Sequence, residues 1–133
     1  MTLPERPNIA AWMAKAQADL RMVEFACSDD ARFWDQACFH SQQAAEKALK
    51  ALLLIHDRAV ERVHDLTYLI KAVEDIVSFS EDLVTAAELL NAYAVAPRYP
   101  SFLAPETEED ADHALASARQ IVAFVQDKIE DTG

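Results

Sequence analysis

Between Pro7 and Pro97 the chain contains neither a proline nor a glycine. Proline removes a backbone donor and clashes inside a helix, while glycine supplies the positive φ that tight turns demand. A long stretch lacking both is free to be helical throughout and is poorly furnished for hairpins. The single glycine is the terminal Gly133, so the glycine-rich phosphate loops of Walker and dinucleotide-binding type are excluded. With 133 residues, of which 52% are apolar and 26% charged, the chain has the length and balance of one globular domain spanning 1–133.

Apolar residues recur by threes and fours, the period of an amphipathic helix. A first helix is expected from about Asn8, a good N-cap, to Cys27, with Ile9, Trp12, Met13, Ala16, Leu20 and Val23 inward. Ser28-Asp29-Asp30 breaks the pattern, and Asp30 is placed to cap a second helix from about Ala31 to His56. That helix carries two apolar rows, one through Trp34, Cys38, Ala45 and Leu52, the other through Phe33, Ala37, Ala44 and Ala51. Such a wide apolar face predicts a central helix with several neighbours. Its opposite stripe holds Gln42, Gln43, Glu46, Lys47 and Lys50 and is expected at the surface, where Phe39 and Leu53 would be exposed or part of a subunit contact.

A charged connector, residues 57–64, leads to a third helix over about 65–77, with Ile70, Val73 and Ile76 inward. Ser80 caps a fourth, and Thr107 with Asp110 forms a capping box for a fifth. The fold class expected is therefore all-α, an up-and-down bundle of about five helices.

The apolar run from Ala51 to Ile55, like every other in the chain, is far short of the ~20 residues that span a bilayer. No basic segment followed by an apolar core opens the sequence, so no secretory signal and no membrane are expected. Cys27 and Cys38 form no CxxC pair and are expected as reduced thiols in the cytoplasm. His40, His56 and His113 lack metal-ligand spacing, so no metal is expected. A formal charge of −11 repels bulk nucleic acid, which argues against DNA as a partner and leaves only a local basic site for a nucleotide or RNA cleavage point.

Several phrases occur in order: Ala18-Asp19-Leu20, then Gln42-Gln43-Ala44-Ala45-Glu46-Lys47-Ala48-Leu49-Lys50-Ala51, then His64-Asp65-Leu66, then Pro97-Arg98-Tyr99-Pro100. Taken together they resemble the HEPN domain (higher eukaryotes and prokaryotes nucleotide-binding) in its small stand-alone prokaryotic form. The resemblance covers nearly the whole chain. It implies a four-helix-bundle core, a homodimer, and pairing with a minimal nucleotidyltransferase in toxin–antitoxin-like modules. It implies no cofactor beyond a nucleotide ligand such as ATP. Some members of the family are metal-independent ribonucleases; others are binding or assembly modules without catalytic residues.

The family's ribonuclease signature is an Arg followed after four to six residues by His. The histidine exchanges a proton with the RNA 2′-hydroxyl or leaving group, and the arginine offsets phosphate charge. Arg58 and His64 match that spacing and are the candidate catalytic pair. They stand before the third helix rather than in a later one, and Leu66 stands where ribonuclease members often carry tyrosine. His64-Asp65 is read either as a ligand or phosphate contact, with Asp65 a candidate nucleotide- or partner-binding residue, or as local structure, with Asp65 capping a helix and His64 bonding across the loop. The proline-flanked Arg98-Tyr99 is a candidate phosphate-pairing and base-stacking unit, against the plain reading that Tyr99 anchors the loop on the bundle and Arg98 pairs with a nearby acid. Gln43, Glu46, Lys47 and Lys50 form a candidate nucleotide- or partner-binding stripe, against the plain reading of a solvated face with ion pairs along the helix.

Overall fold

Among the described residues five helices follow in chain order: α1 Pro7–Ala26, α2 Trp34–Ile55, α3 Leu66–Lys71, α4 Glu81–Asn91 and α5 Glu108–Thr132. The structure is a computed structural model that describes residues 7–94 and 105–132. Among those residues there is no strand, and no helix is long and apolar enough to cross a membrane. Arg98 and Tyr99 lie outside the described residues.

Helix α2 is the axis of the bundle, packed chiefly on α1 along one side and α5 along another. It runs antiparallel to α1: Asp19 bonds His40 and Lys47, while Trp12, nearer the start of α1, meets Lys50. Small side chains make the close approach feasible, since Ala37, Ala44, Ala45, Ala48 and Ala51 are all fully buried. Leu49 and Leu52 complete the core beside Val23 of α1, Leu90 of α4 and Val125 of α5, each without solvent exposure. The wide apolar face read from the sequence thus corresponds to a helix enclosed by its neighbours.

The ends of the helices obey local rules. Ser80 accepts the Leu83 amide at 3.2 Å and starts α4. The Thr107 hydroxyl accepts the Asp110 amide at 3.2 Å while Asp110 accepts the Thr107 amide at 2.9 Å, the reciprocal capping box expected for α5. α2 closes in a Schellman arrangement, in which Arg58 N–H reaches the Leu53 carbonyl and Asp57 N–H that of Leu54. Asp57 occupies the left-handed position of that motif at φ 58°, where glycine is the usual residue.

Several expectations are corrected, and Asn8, expected as an N-cap, lies inside α1. Asp30 does not cap α2, because Ala31 and Arg32 both fold back onto the Ser28 carbonyl and Arg32 turns left-handed at φ 53°. The helix therefore starts three residues later, after Phe33, which bonds the Ala26 carbonyl through its amide and leaves its ring 54% exposed. α3 ends at Lys71 rather than near Val77: tighter i→i+3 bonds, Val73 to Ile70 and Ile76 to Val73, take over, and Ile76 is left exposed. Leu53, expected to be exposed or part of a subunit contact, is buried in the core of the single chain at 1% exposure.

Two measurements check this account. Leu52→Ala is expected to lower unfolding free energy by about 3 kcal/mol, the cost of an unfilled core site, and Ser80→Ala by about 1 kcal/mol, the cost of a lost cap. Urea denaturation of both variants would show a smaller loss for the core variant if α2 were not the enclosed axis.

Candidate functional site

The polar stripe of α2 is largely buried. Gln42 has no exposure, Glu46 4% and Lys50 5%, so none of the three is the solvated side chain that the helical period alone suggests. A carboxylate taken from water must be met by donors, and Glu46 is met by three. Its Oε2 accepts Lys50 Nζ at 3.0 Å, one helical turn on. Its Oε1 accepts Gln42 Nε2 at 3.1 Å and stands 2.9 Å from His64 Nδ1. Lys50 in turn lies over the Trp12 ring of α1, 5.7 Å from its centroid.

Gln42 uses both of its side-chain donors. Its amide nitrogen also donates to the His64 backbone carbonyl at 2.9 Å, and its oxygen accepts Gln43 Nε2 at 2.7 Å. His64 is thereby held by both its ring and its backbone, yet its side chain remains 64% exposed. The next residue is held as firmly. Asp65 Oδ1 accepts the amides of Thr67 and Tyr68, the Thr67 hydroxyl and Asn91 Nδ2, while Asn91 accepts the Leu66 amide. Asp65 is thus the N-cap of α3, and Asn91 ties that cap to α4.

A second buried carboxylate repeats the pattern. Asp19 of α1 accepts Lys47 Nζ at 2.6 Å and stands 3.0 Å from His40 Nδ1. Lys47 and Gln43 remain partly exposed between the two clusters. Glu46 and Lys47 of the candidate stripe therefore serve different carboxylate clusters on one face of α2. No site role is read from the sequence for Asp19, His40 or Trp12; for Asp19 the signal is the Ala18-Asp19-Leu20 phrase, which places an acid against an apolar stripe.

Arg58 is directed elsewhere. Its guanidinium forms a two-pronged pair with Asp75, at 3.1 and 2.8 Å, and donates to the Ala72 carbonyl at 2.9 Å. It pins the connector to the C-terminal end of α3, and the pair holds the Asp75 carboxyl below its ordinary range. No bond links Arg58 to His64 among the described residues. Nor do the described residues contain a group of three or more metal-ligating side chains.

Burial pushes the Glu46 carboxyl up, but the hydrogen bonds from His64, Lys50 and Gln42 outweigh it and leave it below its ordinary value of 4.5. Glu46 is therefore ionised at neutral pH. Cys38 is no nucleophile, because burial foremost pushes its thiol up to about 12.

The model of the HEPN domain matches residues 9–128. The chain belongs to the HEPN family. A curated relative, "Putative toxin MJ1304" of Methanocaldococcus jannaschii, is 24% identical over 90% of this chain and 87% of its own length. Among solved structures, TT1696 from Thermus thermophilus is 34% identical with a TM-score of 0.80, covering 90% of this chain and 97% of that one. ST0689, described as an archaeal HEPN homologue, is 28% identical with a TM-score of 0.74 over 91% and 97% of the two chains. An HEPN domain protein of Thermotoga maritima, 23% identical over 90% and 98% with a TM-score of 0.74, shares the fold. This HEPN chain thus couples the family's helical bundle to a histidine anchored on a buried acid.

Two outcomes follow from the Glu46 cluster. Glu46→Leu strands the Lys50 ammonium and is expected to cost about 3 kcal/mol, most of which the double variant with Lys50→Met recovers. Equal losses in the single and double variants, measured by urea unfolding, would refute the cluster. Because the folded pKa of Glu46 is depressed, its contribution is complete above its ordinary value and is lost as pH falls through the folded one. The melting temperature of wild type is therefore expected to fall more steeply below about pH 4.5 than that of the double variant.

Proposed function

We propose that this HEPN protein is the accessory, nucleotide-binding member of a toxin–antitoxin-like module. It acts as a homodimer with a minimal nucleotidyltransferase. The observation that carries this reading is the immobilised His64, exposed at the edge of a face that also presents Gln43 and Lys47. Polar groups fixed before a ligand arrives lose little entropy on binding, as a small-molecule site requires. The toxin description of the archaeal relative supports the module type. A charge of −11 favours a single nucleotide over an extended nucleic acid. Arg98 and Tyr99 belong to this proposal as phosphate-pairing and stacking groups, and Asp65 as the residue that fixes the backbone after His64.

The test is calorimetric titration with ATP, together with co-purification with the product of the neighbouring gene and mass spectrometry of any bound nucleotide. Micromolar ATP binding that weakens at least tenfold in His64→Ala is the expected result, about the worth of a hydrogen bond to a charged or polarised group. No interaction with either ATP or the neighbouring product sinks the proposal.

One observation favours a second reading, a metal-independent ribonuclease. His64 carries a buried carboxylate behind its ring, as proton-transferring histidines do. Arg58 would then serve from the other subunit, after exchanging Asp75 for a phosphate. Growth arrest on expression, relieved by His64→Ala, is its expected sign; labelled RNA left intact after long incubation removes it.

A further inference from the structure

A hydrogen bond between an imidazole and a carboxylate has only one donor when the acid is ionised. Glu46 is buried, shares its second oxygen with Lys50, and has no proton to give. The hydrogen between Glu46 Oε1 and His64 Nδ1, 2.9 Å apart, therefore belongs to the ring. The neutral imidazole must then keep its lone pair on Nε2. Gln42 fixes the other degrees of freedom, since it holds the His64 carbonyl and Glu46 Oε1 with one amide group. Lys50 neutralises the charge that would otherwise sit behind the ring, and Trp12 covers Lys50.

We propose that Glu46 is a positioning residue for His64, holding the ring in its Nδ1–H form with Nε2 turned outward as a hydrogen-bond acceptor. An acceptor nitrogen does not suit a phosphate oxygen, which also accepts. It suits a donor; in a nucleotide the donors are the ribose hydroxyls and the N–H groups of the base, and of these we assign the ribose, which every ribonucleotide presents. The ligand part of this inference rests on the nucleotide-binding reading; the positioning part does not. Phosphate recognition then falls to other groups, and His64 reports whether the sugar carries its hydroxyls.

The two parts are read separately. Histidine-selective nitrogen NMR of the unliganded protein, at a pH above the imidazole titration, assigns the protonated nitrogen of His64 directly. Free neutral imidazole side chains in water prefer the proton on Nε2, so the expected Nδ1–H form is an inversion. Glu46→Gln should lose that inversion, because a carboxamide can donate to the ring as well as accept from it. A wild-type ring protonated on Nε2, or a Glu46→Gln ring still held as Nδ1–H, overturns the positioning role. The wild-type spectrum decides by itself if the variant does not fold.

Calorimetry with ATP and with 2′,3′-dideoxy-ATP tests the ligand class. Wild type should bind ATP about tenfold more tightly, the size of one polarised hydrogen bond. That preference should vanish in His64→Ala and shrink in Glu46→Gln. Equal binding of the two nucleotides overturns the ribose assignment. Absence of binding to either removes the nucleotide reading, while the NMR result on the unliganded protein still decides whether Glu46 orients the ring.

Discussion

Removing a carboxylate from water costs several kcal/mol unless donors replace the solvent, and the placement of Glu46 makes the bundle answer that demand from three directions. Lys50 comes from the next turn of the same helix, Gln42 from the previous turn, and His64 from the connector. The connector is therefore not free to drape anywhere over the bundle. Its end is drawn onto α2 at one point, and α3 begins two residues later because Asp65, in between, is already in position to cap it. Arg58 secures the other end of the connector by bonding Asp75 and the Ala72 carbonyl.

Asp19 performs the same service between α1 and α2. Each buried acid is shared by a lysine and an imidazole, and each joins α2 to a segment that packs on it. Buried ion pairs of this sort often contribute little net stability compared with apolar side chains of equal size. What they settle here is alignment. Apolar alanine surfaces slide past one another readily, whereas Lys47 can meet Asp19 in one register of the two helices only.

Much of the fold was legible in the sequence because helix periodicity and capping act over a few residues. Ser80, Asp65 and the Thr107–Asp110 pair are local signals, and each marks a helix start in the structure. The start of α2 was misplaced for a reason equally local but silent in composition: Arg32 adopts a left-handed backbone that its side chain does not announce. The site was harder to read. A helical wheel sorts Gln42, Glu46 and Lys50 to the outside, and nothing within α2 reveals that Trp12 and His64, remote in sequence, will cover them. Burial of a polar stripe is a property of the neighbours, so periodicity could name these residues but not their depth. Matching Arg58 to His64 by spacing likewise could not foresee that Asp75 engages the guanidinium.

The turn of α2 that carries Glu46 on one side carries Ala45, Ala48 and Leu49 on the other, all sealed in the core. Amide hydrogens along such a turn are expected to exchange through opening of the whole molecule rather than through fraying from either end. The face beneath His64 therefore has no half-loosened state of its own. Whatever regulates it must act from outside, on the connector or on the approach to the imidazole, and a molecule seated there would protect the entire bundle rather than a single edge.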